Sequence, residues 1–595
     1  MMLDIQRKEE KNFLKKLLTV LCALVMVFGL VGCGSKDSSE QVPAPVTFIY
    51  NTGSGHQAIA EYCQGVWAQA GVTVNLENQE WATFLNTRKD GNYTVARNGW
   101  LGDFNDPISF LDMWVTASGN NDVQYGKGAH ADVAIYNLDL TEYGYDIKVE
   151  NGTWAETYDV LINCVKTNPD QNVRFALMHI AEDMLMETGC LTPIYYYTDI
   201  YMLSDKIDGF YSSPLGYKFF QYTTLSDGGT TLPVCIASEP DIIDPAFNSA
   251  VDGATLDSHL FEGLAKLEEV DGKLVYVPGC AKELVAPVTN DDGTVTYTYT
   301  LKDGLTWSDG KELKASDFVF AWKRAAAEET AADYGYMFEC VKGYPNDLAV
   351  VADDAAKTIT VTLNNLTAYW DELLAFPTYF PVKADVVANE AWATDPSTFV
   401  CNGPYKMASW EHNSKITLVK RDDYYNAANI TMPTIEFYLS DDDNAMLSNY
   451  KNGDWLMIDS VPNAEIKTLE KEYPTEYYVG GQLGTYYICW NINADLLGTA
   501  GQGMDVATYQ AEQAKVRNAF SLLLDRNYVV EEIGQAGQLP ASSFVALGLT
   551  EPDGSEFYKN AGHNSFTGYY DVSADAYAGN CAAAVEVLNK YFPTK

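Results

Sequence analysis

The chain has 595 residues, 47% of them hydrophobic and 20% charged, which excludes a disordered chain and a single small core. Its net charge of −42 repels phosphate backbones and argues against a nucleic-acid partner. Solubility is the plain role of such a surface, and a bias toward cationic ligands stays open.

In chain order, Lys11, Lys15 and Lys16 flank an uncharged run, residues 17–32, that is shorter than the roughly 20 residues of a membrane span. The run ends Leu30-Val31-Gly32-Cys33, which looks like a bacterial lipobox with Cys33 to receive the lipid; an uncleaved signal anchor is the alternative. Residues 34–45, GSKDSSEQVPAP, read as a polar tether of about 40 Å when extended. VTFIY (46–50) and VTVNL (72–76) read as strands around a helix at His56–Ala70, a βαβ-like unit. Asp122–Glu156 is polar and Gly-rich and reads as an insertion. Val173–Glu187 reads as a helix and Pro193–Tyr197 as a strand. LSDGGTT (225–231) has linker chemistry, and a new beginning follows at Leu232. Thr294–Thr300 and Thr358–Leu363 alternate as half-exposed strands, and Val516–Leu524 and Ala582–Tyr591 read as helices. No internal repeat is visible.

Eleven cysteines are present; beyond Cys22 and Cys33, nine are scattered without a CxxC pair. The odd number leaves one free unless chains pair, and small buried apolar residues are the expected role. The six histidines are far apart, and no GxSxG, HExxH or Walker A pattern occurs, so no metal, cofactor or enzyme is expected. Carboxylates are too numerous for counting to exclude a glycosidase pair, but nothing picks one out.

Residues 76–113, LENQEWATFLNTRKDGNYTVARNGWLGDFNDPISFLDM, closely resemble the peptide-gripping region of the oligopeptide-binding proteins of ABC importers. Further matches are IASEPDIIDP (236–245), LFEGL (260–264), GLTWSDGKELKASDFVFAWKR (304–324), CNGPYKMASW (401–410) and KVRNAFSLLLDRNYVV (515–530). The order departs from the family, in which the segment like IASEPDIIDP comes first and the segment like 46–224 last. A circular permutation accounts for this, and a misjoined gene is the alternative.

The resemblance implies an α/β, two-lobed periplasmic-binding-protein-like fold with an additional domain. Residues 46–197 and 506–595 would build the second, ligand-gripping lobe; 198–272 and 401–505 the first; and 273–400 the additional domain. By resemblance, Asp103 would pair with a ligand α-amine, though it could instead cap the turn before Asp106-Pro107. Arg97 would meet the ligand carboxylate, or form a structural ion pair. Arg88 and His56 match positions that meet carboxylates of ligands of other lengths, with local packing as the plain alternative. Gly99 would admit ligand backbone closely, and the backbones of Gly99, Leu101 and Val251 would pair with it as a strand. Trp81 and Trp100 would wall side-chain pockets, and the tyrosines of 195–197 are left unassigned.

The function implied is capture of short peptides for the permease subunits of an ABC importer, by a monomer lipid-anchored on the outer face of the bacterial membrane. Relatives of the same fold bind oligosaccharides or nickel complexes, and forty tyrosines would suit sugar stacking. A neutral sugar, however, would leave Asp103 and Arg97 unpaired in a closed cleft. A peptide-sensing surface receptor or adhesin without an importer is the alternative of another class.

Overall fold

A computed structural model describes residues 46–592 except 238, 390, 563 and 564. The lipobox, Cys33 and the tether lie outside the described residues. Within them no helix is long and apolar enough to cross a membrane.

The chain opens with β1 (Val46–Asn51), α1 (Ser54–Gln69), β2 (Val74–Gln79), α2 (Trp81–Lys89) and β3 (Val95–Leu101). β1 pairs in parallel with both β2 and β3, and four of its six residues are buried, as expected of a strand covered on both faces. Helix α3 (Gln171–Glu187) starts where Asp170 accepts from the amides of Asn172 and Val173. β4 (Leu191–Leu203) follows, then β5 (Thr231–Ala237), α4 (Val251–Leu260), β6 (Tyr405–Glu411), β7 (Lys415–Lys420), β8 (Thr434–Leu439), β9 (Met457–Ile458) and β10 (Tyr477–Trp490). Helices α5 (Val506–Leu522) and α6 (Tyr577–Leu588) end the chain.

One 11-stranded sheet runs in the order β6-β7-β8-β5-β9-β4-β10-β3-β1-β2, with Leu539–Pro540 added on β4. Its two halves are the two lobes, and the 13-residue β4 and 14-residue β10 run through both. Their antiparallel register breaks between Gly481 and Thr485. A side chain at Gly480 or Gly481 would meet nothing, whereas one at Gly484 would strike Leu101 of β3. Packing therefore requires glycine at 484, and the two glycines before it loosen the crossing. Gly484–Trp490 pair with Val95–Leu101, so β10, which falls in the range 401–505, reaches into the half of the sheet that holds β3.

The additional domain holds a four-stranded antiparallel sheet built from Val288–Thr289, Val295–Thr300, Thr358–Leu363 and Val350–Asp353. Tyr297, Tyr299, Ile359 and Val361 fill its buried face, and Thr296–Thr362 and Thr298–Thr360 hydroxyl pairs line the other. Residues 122–156 are packed into the second lobe. Tyr125 stacks on Trp154 at 4.1 Å, Trp154 donates to the Trp114 carbonyl, and a small hairpin (Tyr136–Asp139 with Lys148–Gly152) closes over them. The polarity of that stretch hides its aromatic anchors.

The two described ends meet. Phe48 packs on Trp67, Trp67 on Phe520, and Phe520 on Phe592, with centroid separations of 6.0, 5.2 and 5.7 Å. Trp67 also donates to the Phe520 carbonyl at 3.1 Å. No disulfide joins the nine cysteines of the described residues, and all but Cys581 are buried.

Candidate functional site

β3 is paired by β10 along Val95–Leu101, but by β1 only at Val95 and Ala96. Its other edge from Arg97 to Leu101 pairs with no described strand, and that stretch lines a cavity of about 510 Å³ between the lobes. An unpaired strand edge facing a cavity offers backbone donors and acceptors to an extended chain.

All nine residues singled out from the sequence, His56, Trp81, Arg88, Arg97, Gly99, Trp100, Leu101, Asp103 and Val251, line this cavity. Asp103 follows β3, with its amide donating to Ser109 Oγ at 2.7 Å. Its carboxyl accepts from the Tyr334 hydroxyl at 2.8 Å and from Ser109 Oγ at 3.4 Å, and no cation lies within 4.0 Å among the described residues. Burial holds it well above the usual carboxylate range, against those two hydrogen bonds. The turn-cap role belongs to its neighbour Asp106, whose Oδ1 accepts from the Ile108 amide at 3.0 Å.

Arg97 is 91% buried and has no carboxylate within 4.0 Å among the described residues, and its Nε has no partner. Its guanidinium lies 5.2 Å from the centre of the Tyr486 ring. His56, on the first turns of α1, stacks on the same ring at 5.7 Å; burial and then the Arg97 charge hold it well below its ordinary value, so it is neutral. Arg88 is engaged within its own lobe. It donates to Asn98, lies 3.5 Å from Asp122 and covers the Phe84 ring at 4.7 Å, so its charge is already met. Lys89 likewise bonds Asp333 and Ser249 across the cleft. Arg97 is thus the arginine of the cavity left for an anionic group.

Gly99 needs its missing Cβ for another reason than ligand approach. A side chain there would fall 2.2 Å from the Tyr197 hydroxyl. Trp100 donates to the Ser109 carbonyl at 2.8 Å, which fixes its ring, and Trp81 opens α2 against Phe84. Val251 opens α4 in the first lobe and lies beside Gly216 of the same lobe, where an added Cβ would touch both Val251 and Leu101 of the second lobe.

Sequence reasoning missed the groups that the other bodies contribute. Tyr334 of the additional domain reaches Asp103; Asp443 of the first lobe accepts from the amide and hydroxyl of Ser54 at the start of α1; and Lys218 bridges Asp199 and Asp459 at 2.7 and 3.3 Å. No local pattern marks any of them.

The profile of the bacterial extracellular solute-binding proteins, family 5 (middle), matches residues 32–122 and 275–590. The chain is 32% identical over 336 residues to the oligopeptide-binding protein OppA of Bacillus subtilis, covering 54% of this chain and 57% of that one. It is 30% identical over 349 residues to the dipeptide-binding protein DppE of the same organism, covering 57% and 59%. It thus spans less than two thirds of the curated relatives it matches. A solved structure of Burkholderia pseudomallei OppA aligns over 61% of this chain and 67% of its own, at 26% identity and a TM-score of 0.49.

Proposed function

From its place among the bacterial extracellular solute-binding proteins of family 5, to which the chain belongs, we propose that it captures short peptides outside the cytoplasm and delivers them to an ABC importer. The family consists of binding proteins, not enzymes. The observation that carries the peptide reading is the pairing of a free strand edge with two uncompensated, oppositely charged groups. Asp103 and Arg97 stand on or just after the one unpaired stretch of β3 in the cavity wall. A zwitterion with an extended polar backbone meets all three demands, whereas a neutral sugar meets none of the charges.

In this reading the amine displaces no ion. It supplies the cation that Asp103 lacks among the described residues. Tyr334 keeps its hydrogen bond to Asp103, which makes the additional domain part of the site. Further contacts tie the additional domain to the second lobe: Phe104 stacks on Tyr369 at 4.2 Å, and Lys166 bonds Glu339 at 2.7 Å. Calorimetric titration with a free peptide and its N-acetylated form tests the reading. Tight binding of the first and weak binding of the second is expected; equal affinities would remove the amine from the site.

The lipid anchor is proposed on the Leu30-Val31-Gly32-Cys33 run. Labelled palmitate is expected to enter the wild-type chain and not Cys33→Ala, and equal labelling of both would refute the anchor.

A further inference from the structure

A second, smaller cavity of about 50 Å³ lies behind Asp103, and Asp103, Leu215, Tyr217 and Phe376 line both it and the main one. At about 10–15 Å³ per water, it has room for about three to five waters, or for the outer atoms of one unbranched side chain. Its walls come from the first lobe (Gln221, Glu262, Lys266) and the additional domain (Glu372).

Two independent features say what it takes. Gln221 is 93% buried, its Nε2 donates to the Tyr211 hydroxyl at 3.1 Å, and its Oε1 has no partner among the described residues. A buried amide oxygen with no donor calls for one. The second feature is charge. Lys266 is shared between Glu268 at 2.7 Å and Glu262 at 3.6 Å, and the Lys302 charge also acts on both, which leaves Glu372, besides Asp103, as the lining carboxyl without a cation among the described residues. Glu262 also accepts from the Tyr424 hydroxyl. Glu372 has no cation within 4.0 Å among the described residues, and its Oε2 accepts from the Asn105 amide of the second lobe at 3.0 Å. That bond joins the additional domain to the second lobe. Burial raises Glu372 above its ordinary value, against hydrogen bonds from the Asn105 amide and the Tyr276 hydroxyl.

We infer that this cavity selects the first side chain of the ligand and takes a basic, unbranched one, of the lysine or ornithine type, with Glu372 and Gln221 as the determinants. The inference rests on the ligand amine meeting Asp103. With that amine in place, the first Cβ of the ligand stands at the wall that the two cavities share. A lysine-type ammonium then supplies the donor for Gln221 Oε1 and the charge for Glu372. A branched or aromatic side chain exceeds the room, and an acidic one meets carboxylates.

The test is calorimetry on the full chain with four tripeptides: Lys-Ala-Ala, norleucine-Ala-Ala, Glu-Ala-Ala and N-acetyl-norleucine-Ala-Ala. Norleucine keeps the shape of lysine without its charge. The lysine peptide is expected to bind at least tenfold tighter than the norleucine peptide, and the glutamate peptide weakest of the three free forms. In Glu372→Gln the lysine-to-norleucine ratio is expected to fall below threefold. A wild-type ratio near one, with acetylation still weakening binding, overturns the subsite and leaves the amine reading intact. No effect of acetylation overturns both. An unchanged ratio in Glu372→Gln moves the basic side chain elsewhere and overturns the assignment, and the wild-type comparison stands should that variant fail to fold.

Discussion

Acetylating the N-terminus of a bound peptide is expected to weaken it by about 30- to several-thousand-fold, and Asp103→Asn is expected to weaken the free peptide by a similar factor. The physical reason is burial. Asp103 is 8% exposed, its carboxyl has a tyrosine and a serine as its partners among the described residues, and burial raises it well above the usual carboxylate range. A ligand ammonium makes that carboxyl half of a desolvated ion pair, and removing one half of such a pair costs about 2–5 kcal/mol. Asparagine keeps the shape of the side chain without its charge. It takes the gain from free peptides and leaves acetylated ones nearly unaffected, so the gap between the two ligands narrows. Calorimetry with both ligands and both proteins closes a double-mutant cycle. A coupling energy near zero would remove Asp103 from the site.

The second large effect is on stability. Arg174 of α3 makes a two-pronged bond to Asp106, Nη1 to Oδ2 at 2.6 Å and Nη2 to Oδ1 at 2.8 Å, with both residues more than nine-tenths buried. The pair ties the loop after β3, which carries Asp103, to the helix beneath it. Asp106→Ala leaves the guanidinium buried and unpaired between the Phe175 and Tyr369 rings, and also removes the acceptor for the Ile108 amide. A loss of about 3–5 kcal/mol in unfolding free energy is expected by urea titration, with the slope unchanged. A loss under about 1 kcal/mol would mean that water reaches the pair. The Asp106→Ala, Arg174→Met double variant is expected to recover part of the loss, because the unpaired charge is then gone.

The site was legible to the extent that it is local. Trp81, Arg88, Arg97, Gly99, Trp100, Leu101 and Asp103 fall on α2, β3 and the loop between them and after them, so one segment of sequence carries their chemistry. Its details were not legible, because they depend on partners far along the chain. Arg88 is neutralised by Asp122, which the strand pattern does not bring near it. Gly99 faces Tyr197, which lies 98 positions on but only one strand away across β10. Tyr334 belongs to another domain. The fold follows the same rule. α1, α3 and the Thr358–Leu363 strand lie where their periodicity puts them, within two residues at each end. β4 runs to Leu203, well past Tyr197, because its pairing with β10, and not its own alternation, sets its length. Ser54 is held by Asp443 from the opposite lobe, a helix start that no local capping residue announces.

The measurement that tests peptide capture most directly is mass spectrometry of the ligand released by denaturing protein purified from its own cells. The account predicts short peptides with unblocked N-termini, enriched in lysine at the first position. Release of an oligosaccharide or a metal complex, or of peptides with blocked N-termini, would contradict it.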